Sequence, residues 1–223
     1  MNGDDSWLHP EVSVEEKFTH IVQEIIRLIV DKQDFPSVNN IYADSMDRQA
    51  NLTKYFEALY GINPKIIFIG EAPGVHGCSL TGIPFTSERI LRQGRLERHF
   101  PGTNFHVEGN SYEGSANYFW EIIDLMVSPP ILWNVFPLHP FKMENGVMKN
   151  RTPKIAEKKW GHTILQLIIE LFPNIRIVSV GNSAKDTCLK LSIDTADHII
   201  HPAYHAKEFR EQMRSYYIGL DSI

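Results

Sequence analysis

Cysteine is nearly missing from this chain. Two residues in 223, Cys78 and Cys188, are too few for a disulfide framework or a four-thiolate metal centre. A reducing, cytoplasmic compartment is the expectation that follows. Long apolar runs are missing as well, since none approaches the roughly 18 residues that a bilayer span requires. The opening MNGDDSW is acidic, unlike the basic and then greasy start of a secretory signal. The ten histidines nowhere adopt H-E-x-x-H or a similar metal spacing, so no metal and no other cofactor is expected. Excess positive charge is absent too. The net charge of −5 argues mildly against nucleic acid, because phosphate binding needs cationic surface. The charge is uneven, however: residues 1–60 hold five Lys/Arg against eleven Asp/Glu, whereas residues 85–160 hold ten against eight. A DNA-binding face in the middle of the chain is therefore permitted.

What is present is a regular alternation of patterns. Ser13-x-x-Glu16 reads as a capping box, and Phe18, Ile21, Val22, Ile25, Ile26 and Ile29 follow at helical spacing. A second helix is expected from Ser45 to Tyr60. From Lys65 onward the chain carries short continuous apolar runs, KIIFIG (65–70), ILWNVFPL (131–138), IRIVSVG (175–181) and DHIIHPA (197–203). Runs of this kind are the signature of strands buried on both faces. Helical patterns separate them over 88–98, 117–126, 154–171, 182–192 and 205–218. Such alternation implies an α/β fold with right-handed crossovers and a parallel sheet covered on both sides. The helices of residues 1–60 form an extension packed on an α/β core of residues 65–220, the whole being read as one domain. The stretch from Gly94 to Asn117, rich in Gly, Asn and aromatics, is expected to be a lid or binding loop.

The unusual residues cluster just after the expected strands. Gly70-Glu71-Ala72-Pro73-Gly74 follows the first, Asn134 to His139 closes the second, Gly181-Asn182-Ser183-Ala184 follows the third, and His201-Pro202-Ala203-Tyr204-His205 follows the fourth. The carboxyl ends of parallel strands share one edge, where open α/β sheets bind ligands. Four distant segments should thus converge on one cleft. The first turn fits neither a dinucleotide fingerprint, because Gly70 and Gly74 are wrongly spaced, nor a phosphate P-loop, because no Gly-Lys-Ser/Thr follows. Phe85 stands in a Thr/Gly/Pro loop outside any periodic run, where it is either tucked under its own loop or suited to stacking on a flat heterocycle, worth about 1–3 kcal/mol. Asn134 interrupts an apolar run, and because a buried amide left unpaired costs about 1–3 kcal/mol, it is either a satisfied structural asparagine or one held for a ligand. Its carbonyl can accept from a ring N–H while its NH₂ donates to a neighbouring carbonyl, the pair that uracil presents through N3–H and O4. Ser183 reads either as a phosphate contact or as a helix N-cap, and the N-cap is favoured. His201 ends the last strand, where a lone histidine is more often structural and gains weight as a catalytic group only by converging with the other three segments; the helix after it points backbone N–H groups at the same edge. Arg89, Arg92, Arg95 and Arg98 form a spaced row that suits either DNA or solvent.

GEAPG, then G-x-P-F, an Asn at the end of the next central strand and a late His-Pro together resemble the uracil-DNA glycosylase superfamily. The resemblance covers about residues 65–205. It is nearest to the branch whose thermophilic members carry an iron–sulfur cluster, and Asn150-Arg151-Thr152-Pro153 is similar to a stretch of that branch. It implies a three-layer α/β/α sandwich with a four-stranded parallel sheet, and hydrolysis of an N-glycosidic bond in DNA at uracil or a related deaminated base. By matching motif, Phe85 would stack on the extruded base, Asn134 would read its edge, and His201 would donate to the base O2. Pro73, Ser183, Tyr204 and His205 would contact the DNA backbone, with the base flipped out of the duplex. With no covalent lysine evident, simple hydrolysis is expected. The chain departs from the family where Ala72 replaces the water-positioning Asp or Asn, so water activation would fall to Glu71, helped by His76. It departs again at Leu138, where a cluster cysteine is expected, so no iron–sulfur cluster should form. Two other readings remain open: a nucleic-acid or nucleobase binding module without hydrolysis, and a metal-dependent nucleotide phosphoesterase.

Overall fold

The computed structural model describes residues 13–203 and 205–220. Helix α1 (Val14–Val30) starts at the capping box read from the sequence: the Ser13 hydroxyl accepts from the Glu16 N–H at 3.1 Å, and the Glu16 carboxylate accepts from the Ser13 N–H at 2.8 Å. Phe18, Val22, Ile25 and Ile29 form its buried stripe, as a 3.6-residue repeat requires. The Asn40 amide then donates to the carbonyls of Ile29, Val30 and Lys32, satisfying acceptors that the helix end leaves open. A short β1 (Val38–Asn39) leads to α2 (Met46–Ile62), capped by Ser45 and ended by Asn63 in the left-handed region.

Strand β2 (Ile66–Gly70) is buried along its whole length. Three short helices follow, α3 (Cys78–Thr81), α4 (Glu88–Arg92) and α5 (Arg95–His99), and then α6 (Gly114–Ile123) and β3 (Ile131–Asn134). The hairpin β4 (His139–Glu144) and β5 (Val147–Asn150) precedes α7 (Ile155–Leu171), β6 (Arg176–Val180), α8 (Gly181–Lys190), β7 (Asp197–Ile199) and α9 (Ala206–Leu220). The main sheet is parallel with order β3-β2-β6-β7. Successive side chains of a strand point to opposite faces. Phe68 of β2 meets Phe119 of α6 and Tyr216 of α9 on one face. Trp133 of β3 meets Phe56 of α2 on the other. Helix α1 packs on α2 and α7, so the N-terminal helices complete one outer layer of the α/β/α sandwich.

Two expectations need correction. The single helix over 88–98 is two helices, broken where Gly94 takes φ 63°. The stretch after it is pinned rather than poised as a lid. Glu88 accepts from the N–H groups of Gly109 and Ser111, Arg92 donates to the carbonyls of Glu108 and Gly109, and Phe100 and Phe105 are buried. Of the arginine row only Arg95 is buried, while Arg89, Arg92 and Arg98 stay exposed at the surface. Arg95 is buried against Asp124 at 2.7 Å, Arg89 lies over the Tyr112 ring, and Arg98 sits 3.9 Å from Asp124.

A second, antiparallel sheet of order β1-β4-β5 escaped the sequence reading. Its hairpin turns on Asn145 and Gly146, at φ 50° and 75°, and Asn-Gly between two strands is the strongest short-range hairpin signal. Arg151, just past this sheet, ties it to the body. It makes two bonds of 2.8 Å to the carboxylate of Glu157 and donates to the carbonyls of Ser37 and Phe141. Dehydration pushes the Glu157 pKa up, but the hydrogen bonds from Arg151 and the Lys154 N–H outweigh it and leave the carboxylate below its ordinary range.

Candidate active site

The carboxyl ends of the four parallel strands open into one recess of about 420 Å³. The strand order reverses beside β2, because β3 follows it on one side and β6 on the other. The two crossovers part there and leave a crevice. Glu71, Pro73, Phe85, Asn134, Ser183 and His201 all border it, although they come from segments far apart in the chain.

Gly70 is the floor on which two of them meet. A Cβ there would overlap the tip of the Phe85 ring and lie 2.7 Å from the Asn134 amide oxygen, so only glycine lets ring and amide close over the end of β2. Phe85 itself is at φ 51°, an uncommon conformation for an aromatic residue that the surroundings must enforce. The Trp120 indole N–H donates to the Phe85 carbonyl at 3.0 Å, the Thr81 hydroxyl bridges the carbonyls of Ile83 and Thr86, and Phe119 packs edge-on at 4.6 Å between centroids. The ring is thereby fixed as a wall of the recess.

Asn134 is 4% exposed. Among the described residues its side-chain amide makes no hydrogen bond, and it stands opposite Gly70 at the end of the β2–β3 ladder. Buried amides are nearly always paired, so an unpaired one opening into a recess is held ready for a ligand.

His201 stands at the solvent side of the recess. Its Nδ1 accepts from the Ala203 N–H at 3.2 Å, which places the proton of the neutral imidazole on Nε2 and makes that atom a donor. Dehydration holds its pKa below the ordinary histidine value, against the opposing pull of the Glu71 charge. Gly181, at φ 78°, lets α8 start flush against this ring, and a Cβ there would lie 2.9 Å from the His201 Cβ.

Glu71 is anchored rather than free. Its Oε1 accepts from the Ser183 hydroxyl and lies 3.1 Å from the Lys158 ammonium, which in turn bonds Thr187 at 2.9 Å. The helix α8 begins two residues before Ser183, so Ser183 is not an N-cap, and its hydroxyl proton is given to Glu71 instead of being offered to a phosphate. His205 pairs with Glu208 at 2.8 Å and does not border the recess. Tyr204 lies outside the described residues. His76 is exposed and also stands apart from the recess lining.

Three further residues belong to the site, of which only Asn150 lies in a stretch that the sequence singled out. In the sequence Lys158 is one more lysine of a polar helix face, whereas in the fold its side chain is mostly buried against Glu71. Asn150 borders the recess, and its Oδ1 accepts from the Val75 N–H at 3.2 Å and pairs with the buried His139 at 3.0 Å. Glu113, from the end of the pinned stretch, places its carboxyl against Gly74 and Gly77. Burial raises its pKa to about 7. Among the described residues one trio is close enough to share an ion, Asp47, His106 and Glu108. It is exposed and none of its members borders the recess.

Comparison with known proteins agrees with this architecture. The family model described as the uracil DNA glycosylase superfamily matches residues 58–217. The crystal structure of wild-type SMUG2 from Pedobacter heparinus superposes with a TM-score of 0.66 over 91% of this chain and 97% of that one, at 15% identity. No curated protein matches the chain. The family match spans well over half of the chain and contains all four strand-end segments that build the recess: the chain belongs to the uracil DNA glycosylase superfamily.

Proposed function

We propose that the chain is a monofunctional DNA glycosylase that hydrolyses the N-glycosidic bond of uracil or a related deaminated base. The observation that carries this is the unpaired Asn134 amide, buried at the back of the recess beside the fixed Phe85 ring. Deamination of cytosine or adenine replaces a ring-nitrogen acceptor and an amino donor by a ring N–H and a carbonyl. One asparagine side chain reads that product pair by accepting from the N–H and donating to the carbonyl. Phe85 supplies the stacking surface, worth about 1–3 kcal/mol, which helps offset the few kcal/mol needed to flip the base.

Cleavage leaves negative charge on the base and positive charge on the sugar. The Nε2–H of His201, fixed by the bond to its Nδ1, donates to the base carbonyl as that charge grows. A donor aimed at developing charge contributes about 2.7–4 kcal/mol. The Glu71 carboxylate, oriented by Ser183 and Lys158, stabilises the cationic sugar, and its second oxygen is available to orient water. Lys158 is committed to Glu71 and Thr187 and does not border the recess, in keeping with hydrolysis rather than strand cleavage. Pro73 and the start of α8 border the recess where the flipped nucleotide's backbone would lie. With DNA as substrate, a cytoplasmic location fits this reading.

The test uses end-labelled oligonucleotides, single- and double-stranded, each with one uracil, hypoxanthine or xanthine. After incubation and alkali, at least one should break at the marked position. No breakage with any of them, together with salt-sensitive binding, would favour the binding module instead. That second reading draws on Ala72, which gives the recess a methyl group where the family places a water-positioning side chain.

A further inference from the structure

We propose that Glu113 takes the proton of the attacking water, filling from a neighbouring loop the role that Ala72 leaves vacant. This rests on the glycosylase reading of the recess and goes beyond it by assigning a second carboxylate.

Ala72, Gly74 and Glu113 all border the recess, and both glycines of the loop after β2 face the Glu113 carboxyl. A Cβ on Gly74 would come within 2.5 Å of Glu113 Oε1, and one on Gly77 would overlap Oε2 outright. The loop thus keeps a seat for this carboxyl that any larger residue at either position would fill. Among the described residues Glu113 makes no hydrogen bond and no ion pair, whereas the Oε1 of Glu71 is shared by a hydroxyl and an ammonium. A carboxylate without partners in a water-accessible recess has both oxygens available to a water molecule. The other charged groups near the recess are neutralised locally: Glu71 by Lys158, and Arg151 by Glu157. His201 is neutral above its lowered pKa, and Cys78, packed beside Glu113, has its thiol pushed up by burial and then by the Glu113 charge. Burial holds the Glu113 pKa near 7, where a general base is most effective at neutral pH.

The step balances without a co-reactant. The bond from the base nitrogen to C1′ breaks with its electron pair going to the base, whose carbonyl charge His201 stabilises. Water forms the new C1′–O bond, and its proton passes to Glu113. That proton later returns to solvent or to the departing base. Glu71 and Glu113 then have separate duties, as two carboxylates in unlike surroundings commonly do.

The experiment compares wild type, Glu113→Gln and Glu113→Asp in single-turnover cleavage of the uracil, hypoxanthine and xanthine oligonucleotides from pH 5 to 9. Wild type should lose rate as the pH falls through about 7. Glu113→Gln should be at least 100-fold slower at pH 8 and keep only the lower limb that belongs to His201, and Glu113→Asp should retain the limb near 7 at reduced rate. Affinity for an oligonucleotide bearing an uncleavable 2′-fluoro uridine should change less than threefold. A readout independent of activity comes from melting curves. A carboxyl with a raised native pKa makes the fold lose stability between its unfolded and folded pKa values as pH rises. Glu113→Gln should therefore melt above wild type at pH 8, with the gap closing at pH 5. An active wild type matched within threefold by Glu113→Gln overturns the Glu113 assignment alone, as does a wild-type rate flat from pH 6 to 8.5 or a missing melting gap. A wild type inactive on all three bases overturns the glycosylase reading and this one with it.

Discussion

At the scale of single residues, the site combines side chains that bond no other described residue with others held from several directions. Asn134 has no partner within the described protein, while Phe85 is fixed through its carbonyl, its neighbours and its ring. The two residues should therefore fail differently. Asn134→Ala removes the hydrogen bonds to the base edge and is expected to slow cleavage at least tenfold while leaving the fold intact, since the amide opens into the recess and bonds no other described residue. Phe85→Ala leaves a cavity beside Phe119 and should lower the melting temperature as well as activity, by about 3–5 kcal/mol of stability. His201→Ala, at the exposed end of the recess, should also cost at least tenfold in rate with unchanged melting. Single-turnover rates and melting curves on the three variants check all of this, and full activity in both Asn134→Ala and His201→Ala would sink the assignment of roles.

At the scale of elements, the strand-end turns are set by backbone requirements as much as by chemistry. Gly181→Ala must hold alanine at φ 78° and bring a methyl to 2.9 Å from the His201 Cβ. The left-handed conformation costs about 1–2 kcal/mol, and the displaced imidazole should lower kcat with little effect on binding of the uncleavable substrate. The β4–β5 hairpin depends on two devices. Replacing Asn145 and Gly146 by alanine should loosen its turn, visible as faster amide exchange confined to residues 139–150. Arg151→Ala strands the Glu157 carboxylate, which is 1% exposed, and breaking such a pair costs about 3–5 kcal/mol. Because Asn150 holds Val75 in the loop after β2, the same change should also reduce activity in whatever fraction stays folded.

Across the whole molecule, pH acts through the balance of these buried groups. The Glu157 pKa is depressed in the folded state, so its contribution is present above the unfolded carboxylate value and lost as pH falls through the folded one. Glu88, paired with the N–H groups of Gly109 and Ser111, is shifted in the same direction and adds to the loss. Stability should fall steeply below about pH 4.5, and Glu157→Gln, already weaker at pH 7, should show a shallower acid limb in urea titrations. If the two proteins lose stability in parallel on acidification, Glu157 is not the group responsible.

Much of this was legible in the chain before any coordinates. Apolar runs at Lys65–Gly70 and Ile131–Leu138 gave the parallel strands, Ser13 and Glu16 marked the first helix, and the residues after each run named most of the recess. Those features are local, and periodicity, capping and turn chemistry act over a few residues. What only the tertiary structure decided depends on neighbours far along the chain. That Glu71 meets Ser183 and Lys158, that Arg95 alone of its row turns inward to Asp124, and that Asn134 has no partner among the described residues follow from how the crossovers pack. Glu113 is the clearest case. In the sequence it is one more acid in a polar stretch, and its environment exists only because two glycines of a distant loop fold over it. Local patterns determine which elements form and where they end, whereas the dehydration and pairing of a charge are set by whatever the completed fold brings beside it.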